Sequence, residues 1–250
     1  MTNDSGGNAQ WTATRLYSRA VIRLSPLDSA EDVTDFLESV VTSDIRRLPA
    51  WTGLLSSKGK ALFDFIVWPA GECLLLDCEA DAADDLVKLL AYRRHRRRIG
   101  IALDDHVAVH WRSHEGDGAT SDPRLHALGQ RWIAPADPSI HSADDHWLAH
   151  RLSQGVTEGR SELGSDMTPW LECNAVELNG IDFEKDTYIG YDAVAHAHSH
   201  GGARHRLLIV PLERADPETL RCSYPQLGLG VALVRSDQIA SQLKPKWLRD

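Results

Sequence analysis

The chain has 250 residues, 42% of them hydrophobic and 25% charged, with 18 Gly and 11 Pro. That composition belongs to a folded globular protein and excludes collagen, coiled coil and wholesale disorder. Thirty-six acids against 27 bases give a formal charge of −9, which excludes nucleic-acid binding by bulk attraction, and no direct DNA binding is expected.

In chain order, residues 1–14 are small, polar and aperiodic and read as a disordered tail. The opening MTNDSGGNAQWTATR lacks a basic region followed by an apolar stretch, so no leader is expected and the expected location is cytoplasmic. Ala20–Leu24 reads as a strand. Ser29 then opens a helix with Asp32 in a capping-box position, and Val33, Phe36, Leu37, Val40 and Val41 form its apolar stripe. Strands follow at Trp51–Leu55, Ala61–Trp68 and Cys73–Cys78, separated by a Ser-Ser-Lys-Gly turn and by Pro69-Ala70-Gly71. A second helix spans about Asp81 to His95 with Leu86, Leu89 and Leu90 inward, and strands return at Ile99–Leu103 and Val107–Trp111. The first unit, 15–111, is therefore expected to be a ferredoxin-like β-α-β-β-α-β arrangement.

Residues 112–122 read as a polar linker, Ala143–Gln154 as a helix carrying Trp147, Leu148 and Leu152, and 155–169 as a Gly- and Ser-rich loop. Strands near Arg206–Leu212 and Leu229–Arg235 predict a small β cap. The expected class is α+β, divided 15–111, 112–200 and 201–250. No apolar run approaches the roughly 20 residues of a membrane helix, and no membrane partner is expected.

Four cysteines do not make a disulfide framework, and Cys73 and Cys78 face opposite sides of one strand. The run Arg93, Arg94, His95, Arg96, Arg97, Arg98 is the clearest basic patch, either a local nucleic-acid contact or, the reading preferred, a solvated helix C-terminus where cations complement the dipole. Standard phosphate-loop, dinucleotide, nucleophile-elbow and zinc-protease motifs are absent. The densest polar stretch is Lys185–Arg206. His196, His198 and His200 alternate and on a strand would share a face, with His205 nearby; converging imidazoles suit a transition metal. No carboxylate or Cys completes a set, and a resident metal is not expected.

The same stretch resembles the signature of the YgfZ and glycine-cleavage T-protein superfamily, roughly K-G-C-Y-x-G-Q-E followed by A-R-x-x-H-R-G-x-x-R-x-R. Lys185, Tyr188 and Gly190 match the first part, and Ala195, His198, Gly201, Arg204 and Arg206 the second; His196 and His200 stand where the family often has Arg. Val41–Ile45 is similar to L-T-N-D-V, Gly59–Phe65 to G-K-x-x-x-D-F, and Asp122-Pro123-Arg124 with Leu128, Gly129 and Arg131 to D-P-R-x-x-x-L-G-x-R. Arg151 to Val156 is similar to R-x-x-x-G-I-P, and Pro169, Glu172 and Asn174 to P-x-E-x-N, so the likeness covers roughly 16–210. The signature Cys is Thr187, its first Gly is Asp186, its Gln is Tyr191 and its Glu is Asp192. A threonine without an adjacent base is a poor nucleophile, so thiolate chemistry is not expected there. The T-protein G-Y-T-G-E segment is also missing, which favours the YgfZ branch.

The resemblance implies three small domains around a central cavity that binds tetrahydrofolate. It implies a cofactor set of Asp64, Tyr188, His196, Arg204 and Arg206, with Asp64 as the catalytic carboxylate in any enzymatic reading. Asp64 lies mid-strand and is either an electrostatic group at the cavity or solvent-facing. Arg204 and Arg206 could clamp a folate through forked donors or lie on a solvated strand edge. Tyr188 could stack on a flat ring or cap the core, and Arg124 and Arg131 could orient domains through carboxylates. The leading functional expectation is a folate-binding accessory protein of iron–sulfur cluster maintenance and cluster-dependent tRNA modification, with an iron–sulfur protein as partner. The alternatives are a folate-dependent aminomethyl or one-carbon transferase, and a non-catalytic scaffold that has lost folate.

Overall fold

The computed structural model describes residues 13–248. In chain order the elements are β1 (Ala13–Arg15), β2 (Arg19–Pro26), α1 (Val33–Glu38), β3 (Ala50–Leu55), β4 (Ala61–Ala70), β5 (Cys73–Glu79), α2 (Ala83–Arg93), β6 (Ile99–Leu103) and β7 (Val107–Arg112). There follow β8 (Thr120–Ser121), β9 (Gln130–Pro135), β10 (His141–Ser142), α3 (Asp144–Ser153), α4 (Arg160–Leu163), α5 (Tyr191–Ser199), β11 (His205–Pro211), β12 (Leu220–Tyr224) and β13 (Leu229–Arg235).

The first sheet has the order β3-β4-β5-β2-β6 and is antiparallel throughout. Four of its strands, β6-β2-β5-β4, reproduce the split βαβ order of the ferredoxin-like unit, and β3 adds an outer strand beside β4. Pleat alternation divides this sheet's side chains. Ile22, Leu24, Phe65 and Leu76 pack under α1 and α2 with Phe36, Leu37, Leu86 and Leu90. Val21, Trp51, Ile66, Trp68 and Leu75 face the rest of the molecule.

The second sheet, β10-β1-β7-β9-β8, and the third, β11-β13-β12, share that second core with Trp111, Trp147, Trp170, Tyr188, Leu207 and Val231. The sheets divide the chain differently from the expected units: β7, assigned by sequence to the first unit, belongs to the second sheet. Most of the expected tail lies outside the described residues, but Ala13 already pairs with His141, and the next residue, Thr14, reaches His110 through its hydroxyl.

Two local expectations are corrected. Helix α1 starts after Asp32, whose Oδ1 accepts from the amides of Thr34 and Asp35 at 2.8 and 3.1 Å; Ser29 lies in the preceding turn. The polar stretch 112–122 is an excursion within the second sheet, closed by β8, and not a linker. The Arg run is also tied down. Arg97 pairs with Glu31 and Asp35 at 2.9 and 2.8 Å, and Arg98 with Asp28 at 3.4 Å, fastening the end of α2 to the turn before α1. Among the described residues no helix is long and apolar enough to cross a membrane.

Candidate functional site

Where the three sheets meet, the interior is charged. Arg19 on β2 and Arg131 on β9 grip the two oxygens of Asp77 on β5, each at 2.6 Å. Arg124 forks onto Asp122 at 2.8 and 2.9 Å and extends Nη1 to Glu158 at 2.7 Å. Arg131 Nε also reaches Asp122 at 3.1 Å. Arg151 on α3 forms a bidentate pair with Glu162 on α4 at 2.7 and 2.8 Å, and Glu162 accepts the Tyr224 hydroxyl from β12. Glu158 also accepts the Trp147 indole N–H at 2.7 Å. All four guanidiniums are buried.

Such a lattice is costly to desolvate and persists because nearly every charge has a counter-charge at hydrogen-bond distance. Burial alone would raise the pKa of Glu158, but Arg151 and Arg124 hold it well below the usual carboxylate range. Asp122 is likewise held down by Arg124 against its burial.

Asp64, on β4, is the exception. It is 5% exposed and accepts only the Trp51 indole N–H and the Gly159 amide, both at 3.0 Å. Burial raises its pKa, with Arg19 opposing. The surrounding charge explains the difference: the four guanidiniums are already matched by Asp77, Asp122, Glu158 and Glu162, so an ionised Asp64 would be in excess. Gly159 and Glu158 line a cavity of about 200 Å³ with Arg19, Glu79, Arg151 and Tyr224.

The other expected site residues lie elsewhere. Tyr188 is 4% exposed, in the large core, edge-on to Tyr191 at 5.7 Å; burial pushes its hydroxyl up to about 12. Arg204 is exposed, ahead of β11. Arg206 pairs with Glu177 at 2.7 Å and with Asn174 at 3.3 Å, beside a different cavity lined by Val176, His198 and Gly202. His196 sits on α5, exposed. The stretch through His196, His198 and His200, whose histidines would share a face on a strand, is a helix, and the three side chains do not all share a face. Ala193, Val194 and Ala197 supply its packing stripe, and the Gly201-Gly202 pair, both at positive φ, ends it. Among the described residues no group of three or more His, Cys, Asp or Glu side chains is arranged to hold a metal ion.

The signature residues instead hold seams. Lys185 is buried and donates Nζ to the carbonyls of Glu38 and Ser43 at 2.9 and 2.8 Å and to the Glu38 carboxylate at 3.1 Å. Thr42 donates to Gly180 O at 2.6 Å, and a Cβ on Gly180 would lie 2.4 Å from the Trp51 ring. Thr187, at the family's Cys position, is exposed. Sequence reasoning missed Arg19, Asp77, Glu158 and Glu162. Asp77 had a signal, a lone acid in the apolar run Leu74–Cys78; Glu158, in an irregular loop, had none.

No family model matches the chain. The mouse mitochondrial iron–sulfur cluster assembly factor IBA57 is 28% identical over 98% of this chain and 83% of its own length. The human IBA57 is 29% identical over 86% of this chain and 69% of its own, and the Neurospora crassa homologue 26% over 82% and 55%. All three are named as mitochondrial, which overturns the expected cytoplasmic location. Among solved structures, the glycine-cleavage aminomethyltransferase T of Bartonella henselae superposes on 93% of the chain with TM-score 0.67 at 12% identity, covering 81% of that protein. The chain therefore has the fold of the glycine-cleavage T-protein and is similar in sequence to the IBA57 assembly factors along most of its length.

Proposed function

We propose that this protein is an accessory factor of iron–sulfur cluster assembly that works as a rigid scaffold, with an iron–sulfur protein as its partner. The observation that carries the reading is the alignment of curated assembly factors along up to 98% of the chain. The interior supports the scaffold part, because its buried guanidiniums and their partner carboxylates are mutually neutralised. The thiols support it too: burial pushes Cys78 up to about 12 and Cys173 well above its ordinary value, so neither is a ready nucleophile. Expression of this chain in cells lacking their own IBA57-type factor should restore iron–sulfur enzyme activity. No restoration at matched protein levels removes the reading.

Tetrahydrofolate binding, which the resemblance implies, has one observation in its favour: Asp64, buried and raised in pKa, adjoins the cavity through Gly159. The residues otherwise do not fit. Asp64, Tyr188, His196, Arg204 and Arg206 do not converge, and about 200 Å³ is below the roughly 300–1,000 Å³ of drug-sized ligand sites. We therefore extend the proposal neither to one-carbon transfer nor to tRNA modification; within the Arg run, Arg97 is paired with Glu31 and Asp35, and Arg98 with Asp28. Calorimetry with tetrahydrofolate should give no heat, and saturable binding lost in Asp64→Asn would instead place a folate at this cavity.

A further inference from the structure

Helix α5 presents His196 and His200 four residues apart, the spacing at which helical side chains stand one above the other. Both are exposed, and their rings stack at 4.1 Å between centroids, 16° from parallel. His198 points elsewhere and stacks on Phe183 at 3.9 Å. We propose that His196 and His200 form a two-imidazole chelate for a divalent transition metal, completed by water and therefore exchangeable.

The hydrogen bonding of His200 favours coordination. Nδ1 of His200 lies 2.8 Å from the His196 carbonyl oxygen and 3.0 Å from Ser199 Oγ; with that hydroxyl donating to the same carbonyl at 3.0 Å, both contacts are satisfied when Nδ1 carries the hydrogen. In the neutral ring this leaves the lone pair on Nε2, facing away from the backbone. Metal-ligating histidines share this arrangement, one ring nitrogen donating to a carbonyl while the other binds. The His196 ring makes no hydrogen bond with any described residue and can turn toward a shared ion.

The helix itself supplies two further contributions. It is held in place, since Val194 is buried and the helix packs so close to Gly59 that a Cβ there would lie 3.1 Å from the Val194 γ-methyl and 3.2 Å from the Ala193 Cβ. Both imidazoles lie at its C-terminal end, where the helix dipole favours a cation. Neutral imidazole nitrogens select copper, nickel and zinc over magnesium and calcium, which prefer oxygen. A loosely held ion of this kind differs from a resident three- or four-ligand centre. The inference does not rest on the cluster-assembly reading.

The test is calorimetric titration of the untagged full chain with Ni2+ and Mg2+, alongside His196→Ala, His200→Ala and His198→Ala. One Ni2+ per chain is expected, with no Mg2+ binding. Each of the first two substitutions should weaken Ni2+ at least about tenfold, since a chelate becomes a single ligand, while His198→Ala leaves it unchanged. Electron paramagnetic resonance of the Cu2+-loaded wild type should show two imidazole nitrogens. Absence of saturable Ni2+ binding, affinity that survives both single substitutions, or a copper spectrum with one nitrogen overturns the proposal.

Discussion

Asp64 shows how a single residue can be read correctly for burial and still leave its role open. Its neighbours on β4 placed it on an apolar face, and the structure buries it; what the sequence could not show is that four guanidiniums nearby are already neutralised. Its raised pKa has a consequence with a definite sign. Between the ordinary carboxylate value of about 3.9 and the raised one, the folded state holds a proton that the unfolded chain has lost, so Asp64's contribution to stability falls as pH rises through that window. Above both values, ionised Asp64 is a constant penalty. Asn at this position cannot ionise, but it turns an amide N–H toward one of the two donors, Trp51 or Gly159. Asp64→Asn should therefore be less stable than wild type near pH 4, and the deficit should shrink or reverse by pH 8. Thermal unfolding of both proteins across that range reads it, and a deficit independent of pH would mean that Asp64 titrates as an ordinary carboxylate.

At the scale of elements, strands and helices with strong apolar periodicity were largely legible: the hairpin of β4 and β5, and β13, lie where patterning put them, whereas the α1 stripe holds for Val33, Phe36 and Leu37 only, the helix ending at Glu38 and Val41 pairing with Leu54 instead. Strand β12 was not, because its five residues, Leu220 to Tyr224, are only partly buried or exposed and follow no clean alternation. Helix α5 was not recognised, because alternating histidines imitate a period of two while its packing residues are mostly small. The family motifs were legible as motifs, but their work here is to let elements approach. Gly190 is the clearest case: with φ +92, a Cβ there would lie 2.5 Å from Ser56 O and 3.1 Å from the Gly59 backbone. Gly190→Ala should cost about 2–3 kcal/mol, combining left-handed strain with a backbone clash. Gly71 also has positive φ, +66, but no atom within 4 Å of its would-be Cβ, so Gly71→Ala should cost only about 1 kcal/mol. Equal losses in chemical denaturation would show that the α5 seam is looser than it looks.

Across the whole molecule, the expectation of three separable units meets a core that does not respect them. Val21 and Trp51 of the first sheet, Trp111 of the second and Val231 of the third belong to one continuous apolar cluster. The ion lattice crosses the same junctions, joining Arg19 and Asp77 on the first sheet to Arg131 on the second, and Arg151 and Glu162 to Tyr224 on the third. Removing any one sheet would expose apolar surface and strand buried charges without partners, which costs about 3–5 kcal/mol for each broken pair. No unit should therefore persist once another has unfolded. The chain is expected to unfold in urea as a single cooperative transition, despite a size at which domains often separate. Tryptophan is a suitable probe, because Trp51, Trp68, Trp111, Trp147 and Trp170 all lie in the shared cluster. Far-UV circular dichroism reports all the helices, α1 and α2 on the far side of the first sheet among them. The two signals should give coincident midpoints; a second dichroism transition at higher urea, after the fluorescence change is largely complete, would show that the first sheet with its helices stands alone, and that the ion lattice joins the sheets without coupling their stability.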